Sequence, residues 1–154
     1  MKKIVITGGL GYIGTELCKI YSGCSWNDKI TIIDNRFISE RVNQIRNWNM
    51  DFVQGDILDK DLINKYCSDA DIVHHLAGIT DVPRVRSESN KSHDEKIKKI
   101  AEEGTQNILD VISSKCKIVM PSTHVIYEGL NDIKENIKED EPAKPVLAYG
   151  KSKF

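Results

Sequence analysis

Three side chains in the last quarter of the sequence have types and spacing suited to proton transfer. Tyr149 and Lys153 stand four positions apart, so on a helix they would share one face and work as a pair. A neighbouring ammonium favours the phenolate and draws a phenol's pKa down from about 10 toward neutrality. Such a phenol can serve as general base toward an alcohol, with the Thr123 hydroxyl holding the substrate oxygen. The pattern Tyr-x-x-x-Lys arises often by chance. Its weight here comes from what precedes it.

The opening stretch supplies that context. A short β-branched run, Ile4 to Ile6, suits a buried parallel strand, and it is followed by Thr7, Gly8, Gly9, Leu10, Gly11, Tyr12, Ile13 and Gly14. Gly8 allows a sharp turn at the strand end, Gly11 lets a pyrophosphate approach the backbone, and Gly14 lets the helix that begins near Gly11 lie close against the sheet. The free N–H groups and positive end of that helix would hold phosphates. The spacing G-x-x-G-x-x-G departs from the G-x-G-x-x-G fingerprint, so position matters more than pattern.

A second apolar run, Lys29 to Ile33, ends in Asp34, about 20 positions beyond the last glycine, where an acid accepting both ribose hydroxyls of an adenosine is expected. An acid there repels a 2′-phosphate, so the implied cofactor is NAD and not NADP. Arg36 lies close enough to offset that repulsion, with Asp34 dominant. The bland alternative, an ordinary turn and an ordinary strand-end acid, leaves their register unexplained. With NAD bound, hydride would leave the alcohol carbon for the nicotinamide as Tyr149 takes the proton, and Lys153 would also hold the nicotinamide ribose.

The elements that must position these residues alternate strand and helix. Asn35 falls in a loop expected to pass the adenosine, and Glu40 to Trp48 is at least partly helical. Met50 to Gln54 is a third strand delivering Asp56, which either accepts from the adenine amino group or caps the following helix. Lys60 to Cys67 is a short amphipathic helix, and Ala70 to Leu76 a fourth strand ending in the small residues Ala77 and Gly78, where ribose and pyrophosphate could lie against backbone. A long helix spans Asp94 to Ser113, with Gly104 tolerated through close packing on the sheet. Lys117 to Pro121 is a fifth strand carrying Ser122 and Thr123 to the same edge as the glycine turn. The whole is an α/β, Rossmann-like parallel sheet with helices on both faces, incomplete at the C-terminus.

The chain of 154 residues is about one domain in length. With 40% hydrophobic residues, 29% charged residues and a net charge of −1, it carries no basic excess for nucleic acid and no apolar run long enough for a membrane. No leader peptide is legible behind Met1, Lys2 and Lys3, and the expected location is the cytoplasm. The four cysteines, Cys18, Cys24, Cys67 and Cys116, form no Cys-x-x-Cys pair, so no metal site is expected. His74 and His75 face opposite sides of their strand, which favours packing or hydrogen bonding over catalysis. Ile79 to His93, with Pro83, Arg84 and Arg86, is either a substrate-side loop whose arginines meet a phosphate or a solvated connection. Gly129 to Pro145 is a polar, acid-rich excursion.

Taken together, these residues resemble the N-terminal part of an extended short-chain dehydrogenase/reductase of the NAD-dependent nucleotide-sugar epimerase and dehydratase group. Thr7 to Gly14, with Tyr12 and Ile13 inside it, resembles that family's cofactor motif. Asp34 matches its ribose ligand, Asp56-Ile57 its adenine contact, and His75-Leu76-Ala77-Gly78 its strand-four motif. Thr123 falls at its catalytic serine or threonine, and Tyr149 with Lys153 at its catalytic pair. The resemblance implies a nucleotide-sugar substrate and a homodimer built partly on helices of this half.

Departures narrow the reaction. Family dehydratases place an aspartate and a glutamate directly after the catalytic threonine, where this chain has His124 and Val125. The usual glycine after the Val-Tyr pair is replaced by Glu128, with Gly129 one position later, and a common asparagine of the long helix is Ala101. Family members are about twice as long, which implies that residues 1–154 form a truncated NAD-binding domain lacking the C-terminal substrate domain and inactive alone. The expected activity of the parent protein is epimerisation at the sugar C4 through transient oxidation. A simple NAD-dependent sugar or alcohol oxidoreductase and a non-catalytic dinucleotide-binding module are the alternatives.

Overall fold

A computed structural model of the chain describes residues 1–24, 27–80, 91–130 and 136–154. The expected substrate-side arginines Arg84 and Arg86, with Pro83, and the acidic residues Asp132 and Glu135 lie outside the described residues.

Five strands form one sheet: β1 (Lys3–Thr7), β2 (Lys29–Asp34), β3 (Asp51–Gln54), β4 (Ile72–His75) and β5 (Lys117–Val119). All pairings are parallel and the order is β3-β2-β1-β4-β5. The helices are α1 (Tyr12–Ser22), α2 (Ser39–Asn47), α3 (Lys60–Cys67), α4 (Lys91–Val111) and α5 (Ala148–Lys151). The chain divides into two compact units. The first comprises Met1–Gly78 with Glu103–Met120 and holds the entire sheet; the second comprises Ile79–Glu102 with Pro121–Phe154.

Strand periodicity of two sorts the first unit's core. Ile4, Ile6, Ile30 and Ile32 point to one face, where they cluster with Leu10, Cys18 of α1 and Val42 and Ile45 of α2. Val5, Thr7, Ile33, Val73 and His75 occupy the other face and are equally buried. Thr105 of α4 reaches His75 there, so helices cover both faces. With both sides covered, the strands read as continuous apolar runs rather than alternating ones. Among the described residues no buried side-chain nitrogen or oxygen lacks a hydrogen-bond partner.

The winding reverses between β1 and β4: β1, β2 and β3 step one way across the sheet, then the chain returns to place β4 and β5 on the other side of β1. Such a reversal opens a crevice at the carboxyl ends of the two central strands. Element limits differ slightly from the sequence expectation. Regular pairing in β4 covers Ile72–His75 rather than Ala70 to Leu76, and β5 ends at Val119 rather than Pro121. Helix α4 begins at Lys91, inside the stretch expected to be irregular through His93.

Gly8 stands at the reversal. Its φ of +69° lies in the left-handed region, and a Cβ added there would meet the Ala77 backbone nitrogen at 2.6 Å. Left-handed backbone with a Cβ costs about 1–2 kcal/mol, and the clash with fixed backbone adds about 1–3 kcal/mol. Gly23, the C-cap of α1, has ordinary right-handed backbone and its nearest neighbour to an added Cβ lies at 3.6 Å. Denaturant unfolding should therefore show Gly8→Ala destabilised by about 2 kcal/mol or more, whereas Gly23→Ala should be neutral or slightly stabilised through the unfolded chain.

Candidate functional site

The glycine turn is shaped by two backbone hydrogen bonds. Gly8 N–H donates to the Ile33 carbonyl at 2.8 Å and Gly11 N–H to the Gly8 carbonyl at 3.0 Å, which folds the chain back before α1 starts. Gly11 is the N-cap of α1 and no side chain caps that end. The first-turn residues Tyr12 and Ile13 are 81% and 61% exposed, unusual for large apolar side chains, so the helix start is open toward solvent. Gly14 acts differently from expectation: a Cβ there would strike the turn itself, at 2.6 Å from Gly9 Cα and 2.7 Å from the Gly8 carbonyl. Gly9 is the glycine pressed on the sheet, against Ile32.

Asp34 is 5% exposed and ends β2 beside this turn. Its Oδ2 accepts from Leu10 N–H at 3.0 Å; its Oδ1 accepts from Arg36 N–H at 3.0 Å and from the Arg36 guanidinium at 3.5 Å. The carboxylate thus fastens the glycine turn to the second strand. It has about four acceptor positions, so both ribose hydroxyls fit only once the exposed Arg36 side chain moves off. Arg41 adds a second tie by donating to the Leu10 carbonyl.

Asn35 and Asp56 meet at the ends of β2 and β3, with Asn35 Nδ2 donating to Asp56 Oδ2 at 3.1 Å. Asp56 also accepts from Leu58 N–H at 3.0 Å, while the N-cap of α3 is Asp59, which accepts from Leu62 N–H. The capping role considered for Asp56 therefore belongs to Asp59. Ile57 is 5% exposed with its side chain under Gly104 of α4, so only its backbone can face a ligand. Gly104 accordingly packs on Ile57 and not on the sheet. Leu76 continues the ladder by donating to the Thr7 carbonyl at 3.0 Å; Ala77 lies against Gly8, and Gly78 is exposed.

Several supporting residues escaped the sequence reading. Asn107 Nδ2 donates to the Ile57 carbonyl at 3.0 Å, fixing the loop that carries Asp56. Thr7 Oγ1 lies 2.8 Å from His75 Nδ1, and His75 Nε2 lies 3.0 Å from Thr105 Oγ1, linking β1, β4 and α4. A polar residue three positions from Gly104 on an otherwise apolar helix face was the one available signal for Asn107. His74 turns to the opposite face and pairs with the Tyr21 hydroxyl at 2.8 Å. Both histidines hold structural hydrogen bonds, as their strand positions implied. Burial pushes the Cys18 and Cys67 thiols up to about 12, so both stay protonated.

In the second unit, Thr123 is the N-cap of a 3-10 helix at His124–Tyr127, its Oγ1 accepting from Val125 N–H at 3.3 Å. That leaves the hydroxyl proton to donate elsewhere. Tyr149 lies in α5, a single turn, and Lys153 follows its C-cap Ser152, so the pair does not share a regular helix face. The Lys153 N–H still turns back to the Gly150 carbonyl at 3.1 Å. Burial holds the half-buried Lys153 ammonium below the usual lysine range.

A doubly wound parallel sheet with a glycine turn, an open helix start and a buried acid at its switch point is the architecture of a dinucleotide-binding domain. The chain belongs to the 3-beta hydroxysteroid dehydrogenase/isomerase family, which residues 5–153 match, among the extended short-chain dehydrogenases/reductases that include the nucleotide-sugar epimerases and dehydratases. It is 32% identical to CDP-paratose 2-epimerase of Salmonella typhi, over 89% of this chain and 41% of that protein. With UDP-glucose 4-epimerase of Neisseria meningitidis serogroup C it shares 28% identity over 99% of this chain and 45% of the relative. The crystal structure of UDP-glucose 4-epimerase from Brucella ovis in complex with NAD superposes with a TM-score of 0.78 at 26% identity, covering 99% of this chain and 45% of that one. The chain thus spans somewhat under half the length of these relatives. Among the described residues no helix is long and apolar enough to cross a membrane.

His74 gives the site's surroundings a pH signature. Burial, aided by the Lys117 ammonium, holds its imidazole below the ordinary value near 6.5. Below that value the unfolded chain takes up a proton the folded state resists, so stability is full above about pH 6.5 and is lost as pH falls. Urea unfolding between about pH 7.5 and 5 should show this loss, and His74→Gln should reduce it.

Proposed function

We propose that the polypeptide carrying this chain is an NAD-dependent nucleotide-sugar 4-epimerase that works by transient oxidation at the sugar C4, with residues 1–154 as its dinucleotide-binding half. The observation that carries this reading is the pair following Thr123. His124 and Val125 open a 3-10 helix at the two positions where related dehydratases place an acid and a base, so dehydration lacks its proton carriers while epimerisation needs none there. Epimerases at 32% and 28% identity support the same class.

The residues present fit NAD. An uncapped α1 start suits a pyrophosphate, and a Cβ at its N-cap Gly11 would press on the Gly8 carbonyl of the turn at 3.1 Å. Asp34 offers a fixed carboxylate to ribose hydroxyls and repels a 2′-phosphate. Asn35, Asp56 and the Ile57 backbone are assigned to the adenine side, and Leu76, Ala77 and Gly78 to the inner ribose and pyrophosphate. The Brucella ovis relative in complex with NAD supports this cofactor.

When bound, NAD supplies a reversible two-electron acceptor. The Thr123 hydroxyl donates to the substrate oxygen, and Tyr149 takes the proton from the C4 hydroxyl and later returns it. Lys153, whose half-buried ammonium is held by burial below the usual lysine range, is assigned to the nicotinamide ribose beside Tyr149. A nucleotide sugar is the proposed substrate. The second reading, net oxidation of an alcohol by NAD, is favoured by the hydroxysteroid dehydrogenase/isomerase family match itself.

Calorimetry should show NAD binding more tightly than NADP, and tighter NADP binding would overturn the role given to Asp34. In the natural polypeptide, Tyr149→Phe should lower turnover about 100-fold or more while NAD affinity stays within about twofold. NMR of UDP- and CDP-sugars incubated with enzyme and NAD separates the two readings: interconverted C4 epimers support the first, and accumulated keto product with NADH supports the second.

A further inference from the structure

We infer that Glu128 is a positioning residue for Tyr149, a role that rests on the acid–base reading proposed above. Glu128 stands directly after the 3-10 helix that begins at Thr123, and its Oε1 accepts from two consecutive backbone N–H groups, Val146 at 2.8 Å and Leu147 at 2.5 Å. Leu147 is the N-cap of α5 and its own side chain caps nothing. One carboxylate oxygen therefore grips the two residues that lead into the helix turn bearing Tyr149.

The need for that grip follows from helix physics. A helix of four residues has made the unfavourable nucleation step without the propagation that offsets it, so its order comes from outside. Hydrogen bonds to an ionised acceptor are roughly twice as strong as neutral ones, and two on one oxygen define a direction as well as a distance. The backbone completes the brace: Lys144 N–H donates to the Ile126 carbonyl at 2.7 Å and Gly129 N–H to the Lys144 carbonyl at 3.0 Å.

Gly150 is shaped to the same contact. It is buried, and an added Cβ would lie 3.1 Å from the Val125 carbonyl and 3.3 Å from Glu128 Oε1, so α5 can press on the carboxylate because the residue beside Tyr149 has no side chain. At the other end of the segment, Ser122 Oγ donates to the Lys153 carbonyl at 3.0 Å. Residues 122–128 thus act as a splint. Thr123 is at one end of it, Glu128 at the other holds the approach to Tyr149, and Ser122 holds the backbone of Lys153.

The chemistry gives Glu128 no proton to carry, so its effect should fall on kcat. In the natural polypeptide, Glu128→Ala should lower kcat for sugar turnover about 100-fold, the scale expected for a misplacement of about 1 Å, with the NAD dissociation constant within about twofold. Glu128→Gln keeps an acceptor oxygen at the same reach and should retain kcat within about fivefold. In the 154-residue chain, amide hydrogen exchange at Val146 and Leu147 should quicken in Glu128→Ala and stay near wild type in Glu128→Gln, and the ring resonance of labelled Tyr149 should shift only in the alanine variant. Equal kcat in wild type and Glu128→Ala, or equal loss in both variants, overturns the inference. A wild type without turnover on any nucleotide sugar refutes the proposed reaction instead; the exchange and Tyr149 resonance then decide the inference, unchanged signals in Glu128→Ala overturning it.

Discussion

The backbone of Gly8 lies against the backbone of Ala77, and the first unit depends on that approach. Two parallel strands that belong to opposite halves of a doubly wound sheet must end side by side, and their exits must then diverge, one into α1 and the other away from the sheet. A left-handed residue without a Cβ meets both conditions, since it reverses the chain within one position and leaves room for the neighbouring exit. Within the first unit, the residues proposed for the dinucleotide stand at the carboxyl ends of the strands, where the reversal of winding opens a crevice.

Asp34 converts this local turn into a fixed one. Its carboxylate binds the Leu10 amide across the boundary between β1 and β2, so the glycine loop is held by a charge-assisted bond and is not left to its own flexibility. The same group is assigned to the ribose, and the two duties are compatible because a carboxylate accepts from several directions. Arg36 links them. Its guanidinium occupies an acceptor position from the solvent side at 3.5 Å, a length at which the bond is weak, so the proposed ribose hydroxyl would displace an exposed and weakly held partner. The acid is thereby kept in place before any ligand arrives.

Residues whose role is set by local backbone were legible in the sequence. Gly8, Gly11 and Asp34 act through turn geometry and a spacing along the chain, and the strand runs declare themselves by β-branched composition. Residues whose role depends on a distant partner were not. Gly104 was expected against the sheet and lies on Ile57, which comes from a loop some forty-seven positions earlier. Asn107 answers the carbonyl of that same Ile57, and His75 joins Thr7 to Thr105, pairings that no periodicity announces. Asp56 shows the limit within a few positions: it suited a cap in the sequence, and the backbone path gives that place to Asp59. Tyr149 and Lys153 were read as one helix face, whereas α5 closes after Lys151.

The two units solve the problem of position by different means. In the first, apolar residues on both faces of the sheet are sealed, and burial supplies most of the ordering. Hydrophobic burial is non-directional, so directional bonds are added where an angle matters, at Leu10, Ile57 and Thr7. Beyond the start of α4, the second unit's stretch Pro121–Phe154 has short elements, a 3-10 helix and one turn of α5, whose described residues are mostly half-buried or exposed. Such elements bury too little to hold themselves, and their order falls to hydrogen bonds that each tie one residue to another across the unit: Glu128 to Val146 and Leu147, Ser122 to Lys153, Lys144 to Ile126 and Gly129. A stretch ordered in this way is sensitive to single polar substitutions to a degree that the sheet is not, because among its described residues only Gly150 is fully buried and little packing maintains the geometry once an acceptor is removed. For the acid–base roles proposed for Tyr149 and Lys153, that would place control of reactivity in residues that touch neither the phenol nor the ammonium.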